Sequence, residues 1–126
     1  MTENAPEVYA VAELNRRVRD LLGDEFGLIW VAGELSNIAR PQSGHLYFTL
    51  KDDKAQIRCA FFRRQNVGLN FNLEEGQQVL VLAEVSLYEA RGDYQLIVQQ
   101  MEESGDGALR RAFERLKQQL SEEGLF

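Results

Sequence analysis

The chain has 126 residues and a net charge of −6, enough for one domain with a real core and too short for two. Hydrophobic residues make up 44% and charged residues 27%, a balance that excludes a disordered chain. A single cysteine, Cys59, excludes a disulfide framework and fits a reducing cytoplasm; no apolar run is long enough to cross a membrane, and the polar, acidic start MTENAPEV is unlike a secretion signal.

Residues 1–8 read as a flexible tail. Val11, Leu14, Val18, Leu21 and Leu22 then recur at helical spacing on one stripe, with Arg16, Arg17 and Arg19 pointing elsewhere and Gly23 as the expected stop. The run FGLIWVAGEL (26–35) predicts a buried strand with a bend or bulge near Gly33, and its Trp30 reads as core. Ser36 and Asn37, then Arg40 to Gly44, read as a loop rich in turn residues.

The next stretch, HLYFTLKDDKAQIRCAFFRR (45–64), organises the chain. It predicts two strands joined by a polar turn at Asp52, Asp53 and Lys54. Leu46, Phe48 and Leu50 fall on one face of the first strand, as do Ile57, Cys59 and Phe61 in the second. This period of two marks a half-buried sheet. The opposite face offers rings (Tyr47, Phe62), cations (Lys51, Arg58) and hydrogen-bonding groups (His45, Thr49, Gln56). Rings stack on bases and cations follow phosphates, which suits single-stranded nucleic acid.

After Arg64 an irregular or briefly helical crossover is expected from Gln65 to Asn72, then a turn at Glu74–Gln77. Alternation of Val79, Val81, Ala83, Val85 and Leu87 marks a fourth strand. Glu89 to Asp93 reads as a hairpin turn, and Tyr94 to Met101 as a fifth strand. Residues 104–126 predict a second amphipathic helix, carried by Leu109, Phe113, Leu116 and Leu120, with Asp106 as cap and a link onward to a further domain. The expected fold is therefore mainly β: a five-stranded Greek-key barrel of the oligonucleotide-binding (OB) kind over residues 9–103, flanked by an N-terminal and a C-terminal helix.

The acidic total argues against a polyanion as ligand, but charge is unevenly spread. Residues 40–64 carry six cations against two anions, leaving −10 on the rest. A basic band on an acidic body can hold a polyanion locally; ordinary solvating charge on an exposed sheet explains it equally well. Rings at 47 and 62 could likewise cover apolar surface beneath a loop. Arg40 and Arg91 lie on loops where such barrels contact ligands, though solvated loop charge is an even alternative. Cys59 and His45 point to opposite faces, so they form no nucleophile–base pair; Cys59 reads as a small core residue. The histidine and cysteine count is too low for a zinc site, and no phosphate-cradling glycine motif is present. No catalytic residue, metal or cofactor is expected within the chain.

The segments GELSN (33–37), SGHLYFTLKD (43–52), QIRCAFF (56–62), LYEARGDYQLIV (87–98) and GALRRAFERLKQQLSEEGLF (107–126) closely resemble the N-terminal region of the large subunit of bacterial exonuclease VII. The likeness runs from Tyr9 to Phe126 in order and spacing. It implies an OB-fold domain that binds single-stranded DNA at the front of a metal-independent nuclease, which releases oligonucleotides and works with several small subunits. It implies a binding face of His45, Tyr47, Thr49, Lys51, Arg58 and Phe62, with Ser36, Asn37, Arg40 and Arg91 on the loops. The catalytic core of such enzymes lies downstream of this region. One departure is Ala12, where relatives tend to carry a helix-capping hydroxyl. Two other readings stay open: a protein-docking module, which the acidic total favours, and an RNA-binding OB domain.

Overall fold

The computed structural model describes residues 5–104; the predicted second helix and the linking segment lie outside the described residues. The elements run α1 (Val11–Phe26), β1 (Leu28–Ala39), β2 (Leu46–Lys51), β3 (Gln56–Phe61), α2 (Arg63–Asn66), β4 (Gln78–Tyr88) and β5 (Asp93–Glu103).

The five strands close into a barrel in the order β1-β2-β3-β5-β4. All pairings are antiparallel except β3 with β5. Closure removes the open edges that a small sheet would otherwise present. The alternation seen in the sequence puts Phe48, Leu50, Cys59, Phe61, Val79, Val81, Ala83, Val85, Leu96 and Val98 into one core. The crossover after α2 contributes Leu69, Phe71 and Leu73 to the same cluster.

Helix α1 does not stop at Gly23. It continues to Phe26, and Gly27 ends it at φ +60°, its N–H donating to the Gly23 carbonyl at 2.9 Å. A residue with φ in this range favours glycine, so the later of two glycines terminates the helix. At its start the Ala10 N–H donates to Glu13 Oε1 at 3.1 Å. The cap position is thus Ala10, and Ala12 lies inside the first turn. Leu22 packs against the barrel core, while Val11, Leu14 and Leu21 stay exposed.

Strand β1 is longer than expected and takes in Ser36 and Asn37, which the turn-like composition had assigned to a loop. It pairs with β4 from Leu28 to Glu34 and with β2 from Glu34 onward, so it changes neighbours beside Gly33. A Cβ at Gly33 would stand 2.7 Å from Leu50 Cγ; glycine serves close packing there. The ladder irregularity falls later, between Ser36 and Ala39, where Asn37 has φ +52°. Glu75 holds this bulge, accepting the Asn37 N–H at 3.1 Å and the Ile38 N–H at 2.9 Å. Trp30 also departs from its expected place: it packs on Leu80 in a small separate cluster, not in the barrel core.

The β2–β3 turn forms as expected. Asp52 Oδ1 accepts the N–H groups of Lys54 and Ala55, both at 2.8 Å. These bonds favour the charged form and hold the Asp52 carboxyl below its ordinary range.

Candidate nucleic-acid interface

Alternation in β2 and β3 leaves Tyr47, Gln56 and Arg58 exposed, whereas Thr49, expected on the same open face, is buried. Register then extends the surface beyond the hairpin. Ser36 pairs with Thr49, Thr49 with Arg58, and Arg58 with Gln95. A transverse row of polar side chains thus crosses four strands. A groove of about 740 Å³ lies over its Thr49, Arg58 and Gln95 members. Thr49 and Arg58 line the groove floor, Asn37 and Tyr47 one side, and Tyr88 and Arg91 of the β4–β5 hairpin the other.

Tyr47 is 40% exposed and Tyr88 51% exposed, so both rings offer open apolar area to a flat ligand. Behind Tyr47 stand His45 and Phe62. The His45 ring lies 6.4 Å from Tyr47 and 5.3 Å from Phe62, both edge to face. His45 Nδ1 also accepts the Arg63 N–H at 3.0 Å, which fixes the imidazole against the start of α2. Asn66 reinforces this corner, donating to the Gly44 and Phe61 carbonyls. His45 and Phe62 therefore support Tyr47 from outside the groove. Tyr47 and Phe62 both stand outside the barrel core, but only Tyr47 lines the groove.

The cations divide by partner. Lys51 pairs with Glu34 at 3.6 Å, away from the groove. Arg40 donates to the Leu73 carbonyl and ties the β1–β2 loop to the segment before β4. Arg91 faces Asp93 at 3.4 Å. Arg58, among the described residues, has no carboxylate partner. It is exposed and lies on the groove floor between the two tyrosines. Ser36 joins the transverse row through its pairing with Thr49, and Asn37 enters the groove because the bulge turns it there.

Tyr88, Gln95 and the acidic Asp93 line the groove and escaped the sequence reading. Tyr88 has the outward parity of β4 and adjoins the hairpin turn, a signal present but overlooked beside the apolar run. Gln95 enters only through the parallel β3–β5 register, which no local pattern reveals. Cys59 is buried on the core side, where desolvation pushes its thiol up to about 12. It faces away from His45, so the pair makes no nucleophilic dyad.

A closed barrel of this strand order, with a polar and aromatic groove across β2 and β3, defines an OB-fold nucleic-acid-binding domain. The chain belongs to the family described as OB-fold nucleic acid binding domain, which matches residues 9–102. Its sequence relatives include the exodeoxyribonuclease 7 large subunits of Thioalkalivibrio sulfidiphilus, 61% identical over 95% of this chain and 27% of the relative, and of Enterobacter sp. strain 638, 52% identical over 100% of this chain and 28% of the relative. The chain thus spans about a quarter of the length of the curated relatives it matches. Among solved structures it resembles a chain of the S. pombe Stn1–Ten1 complex, with TM-score 0.54 and 20% identity over 75% of this chain and 74% of that one. A chain of a replication protein A heterotrimer bound to single-stranded DNA gives TM-score 0.54 and 16% identity over 72% and 67%. At these identities the structural likeness speaks for the fold.

Proposed function

We propose that this chain is the single-stranded-DNA-binding module of an exodeoxyribonuclease of the exonuclease VII kind, holding an unpaired strand for hydrolysis by a catalytic region outside it. The observation that carries the reading is Arg58, unpaired among the described residues on the groove floor between the exposed rings of Tyr47 and Tyr88. A strand laid along the transverse row would stack bases on the rings and set a phosphate against the guanidinium. Each stacked base contributes about 1–3 kcal/mol. Duplex DNA hides its base faces and gains only the charge contact. The relatives' name supplies the nuclease assignment, and the parent enzyme would act in the cytoplasm with small subunits as partners.

The test is fluorescence anisotropy of a labelled oligonucleotide with the chain at two salt concentrations. Expected are saturable binding of single strands, weaker binding of duplex, and affinity that falls with salt. Absent or salt-insensitive binding contradicts the proposal. A matched RNA competitor as effective as DNA would widen the ligand class to single strands of either sugar.

A further inference from the structure

Tyr88 ends the β4 ladder through its pairing with Asp93, whereas Arg91 lies in the hairpin tip beyond the last ladder pair. Inside the tip, the N–H groups of Arg91 and Gly92 donate to the Tyr88 carbonyl at 3.2 and 2.7 Å. This closes the turn on itself without fixing its direction. Direction comes from helix α1. Asn15 Nδ2 donates to the Glu89 carbonyl at 2.9 Å. One turn further along, the Arg19 guanidinium pairs with the Glu89 carboxylate. The Asn15 amide also packs on the turn's far side, 3.5 Å from where a Cβ on Gly92 would stand. Among the described residues, these two helix side chains make the tip's side-chain hydrogen bond and ion pair outside the hairpin.

From this geometry we infer that Asn15 and Arg19 are positioning residues for DNA binding: helix α1 sets the hairpin so that Arg91 faces a phosphate across the groove. Neither side chain lines the groove, so each acts through the tip. A helix outside the barrel thereby becomes part of the binding apparatus. The inference rests on the groove reading above.

A double-mutant cycle tests it. Affinity for a single-stranded oligonucleotide is measured over a salt series for the unaltered chain, Asn15→Ala, Arg91→Ala and the double variant. Arg91→Ala is expected to weaken binding several-fold and to reduce the magnitude of the salt slope by about 0.7, one phosphate contact on a single strand. Asn15→Ala removes no charge, yet is expected to lose a similar share of that slope. The double variant should bind no worse than Arg91→Ala alone. Arg19→Ala provides the second variant should Asn15→Ala fail to fold. Losses that add in the double variant, or an Asn15→Ala chain that binds with unchanged slope, overturn the inference. Amide exchange separates this from failure of the groove reading. In Asn15→Ala the Arg91 and Gly92 amides should exchange faster while core-strand amides do not change, with or without DNA. If the unaltered chain binds no DNA, the groove reading falls. If the hairpin amides are unmoved in the variant, the tether falls.

Discussion

Arg58 and Tyr47 share the groove but do different physical work. Removing a cation that meets a phosphate changes how many counterions are released on binding. Removing a ring that meets a base does not. Arg58→Ala is therefore expected to weaken single-strand binding and reduce the salt slope by about 0.7. Tyr47→Ala is expected to cost about 1–3 kcal/mol of binding at unchanged slope. Titrations over a salt series read both numbers, and identical behaviour of the two variants would deny the division of labour. Cys59 gives a residue-scale prediction about the core. Its thiol is pushed up to about 12 by burial, above its ordinary value of about 8.5. The protonated form is the one the fold accommodates, so its contribution is complete below the ordinary value. It is lost as pH rises from about 8.5 towards about 12, where the unfolded chain ionises first. Urea midpoints of the unaltered chain and Cys59→Ala, compared across that range, should converge as pH rises. A constant difference between them would contradict it.

At the scale of elements, strand β1 departs most from its expected form and brings Asn37 to the groove. It changes neighbours beside Gly33 and bulges at Asn37. Gly33→Ala would drive a Cβ into Leu50 and against the Lys51 carbonyl, and an overpacked site of this kind costs about 1–3 kcal/mol. Chemical unfolding should show that loss, and an unchanged midpoint would mean that Leu50 moves aside freely. Glu75→Ala removes the acceptor of two backbone N–H groups at the bulge. A loss of about 1–2 kcal/mol is expected, with faster exchange at the Asn37 and Ile38 amides; protected amides in the variant would show that the bulge stands unaided. The alternation of β2, β3, β4 and β5 was legible because a barrel wall buries one face and wets the other. The bulge was misplaced and Ser36 and Asn37 were taken for loop for a physical reason. A strand that bends to serve two neighbours needs small and polar residues, and these carry the same composition as a turn. The end of α1 was misread for a similar reason: Gly23 and Gly27 are alike in sequence, and only the positive φ at Gly27 distinguishes them.

On the scale of the whole molecule, net charge and local charge point in opposite directions. The chain carries −6 overall, yet its groove holds Arg58 without a carboxylate partner among the described residues. Lys51, Arg40 and Arg91, which the sequence ranked beside it, are engaged by Glu34, the Leu73 carbonyl and Asp93. The partners of Lys51 and Arg40 are tertiary, on a neighbouring strand and on the crossover, while Asp93 lies two residues from Arg91 in the same hairpin. The barrel class was readable from five short strands in order. The face of the barrel was readable from one hairpin. The opposite wall of the groove was readable in part: Arg91 was named from its loop, while Gln95 arrives there only through the parallel pairing of β3 with β5. The central claim is that an unpaired strand lies across β2 and β3, between Tyr47 and Tyr88. Backbone chemical shifts of the labelled chain, recorded as a short single-stranded oligonucleotide is added, test it most directly. The predicted result is shifts concentrated at Asn37, Tyr47, Thr49, Arg58 and residues 88–95. Shifts confined to the exposed stripe of α1 at Val11, Leu14 and Leu21, or spread evenly over the surface, would contradict it.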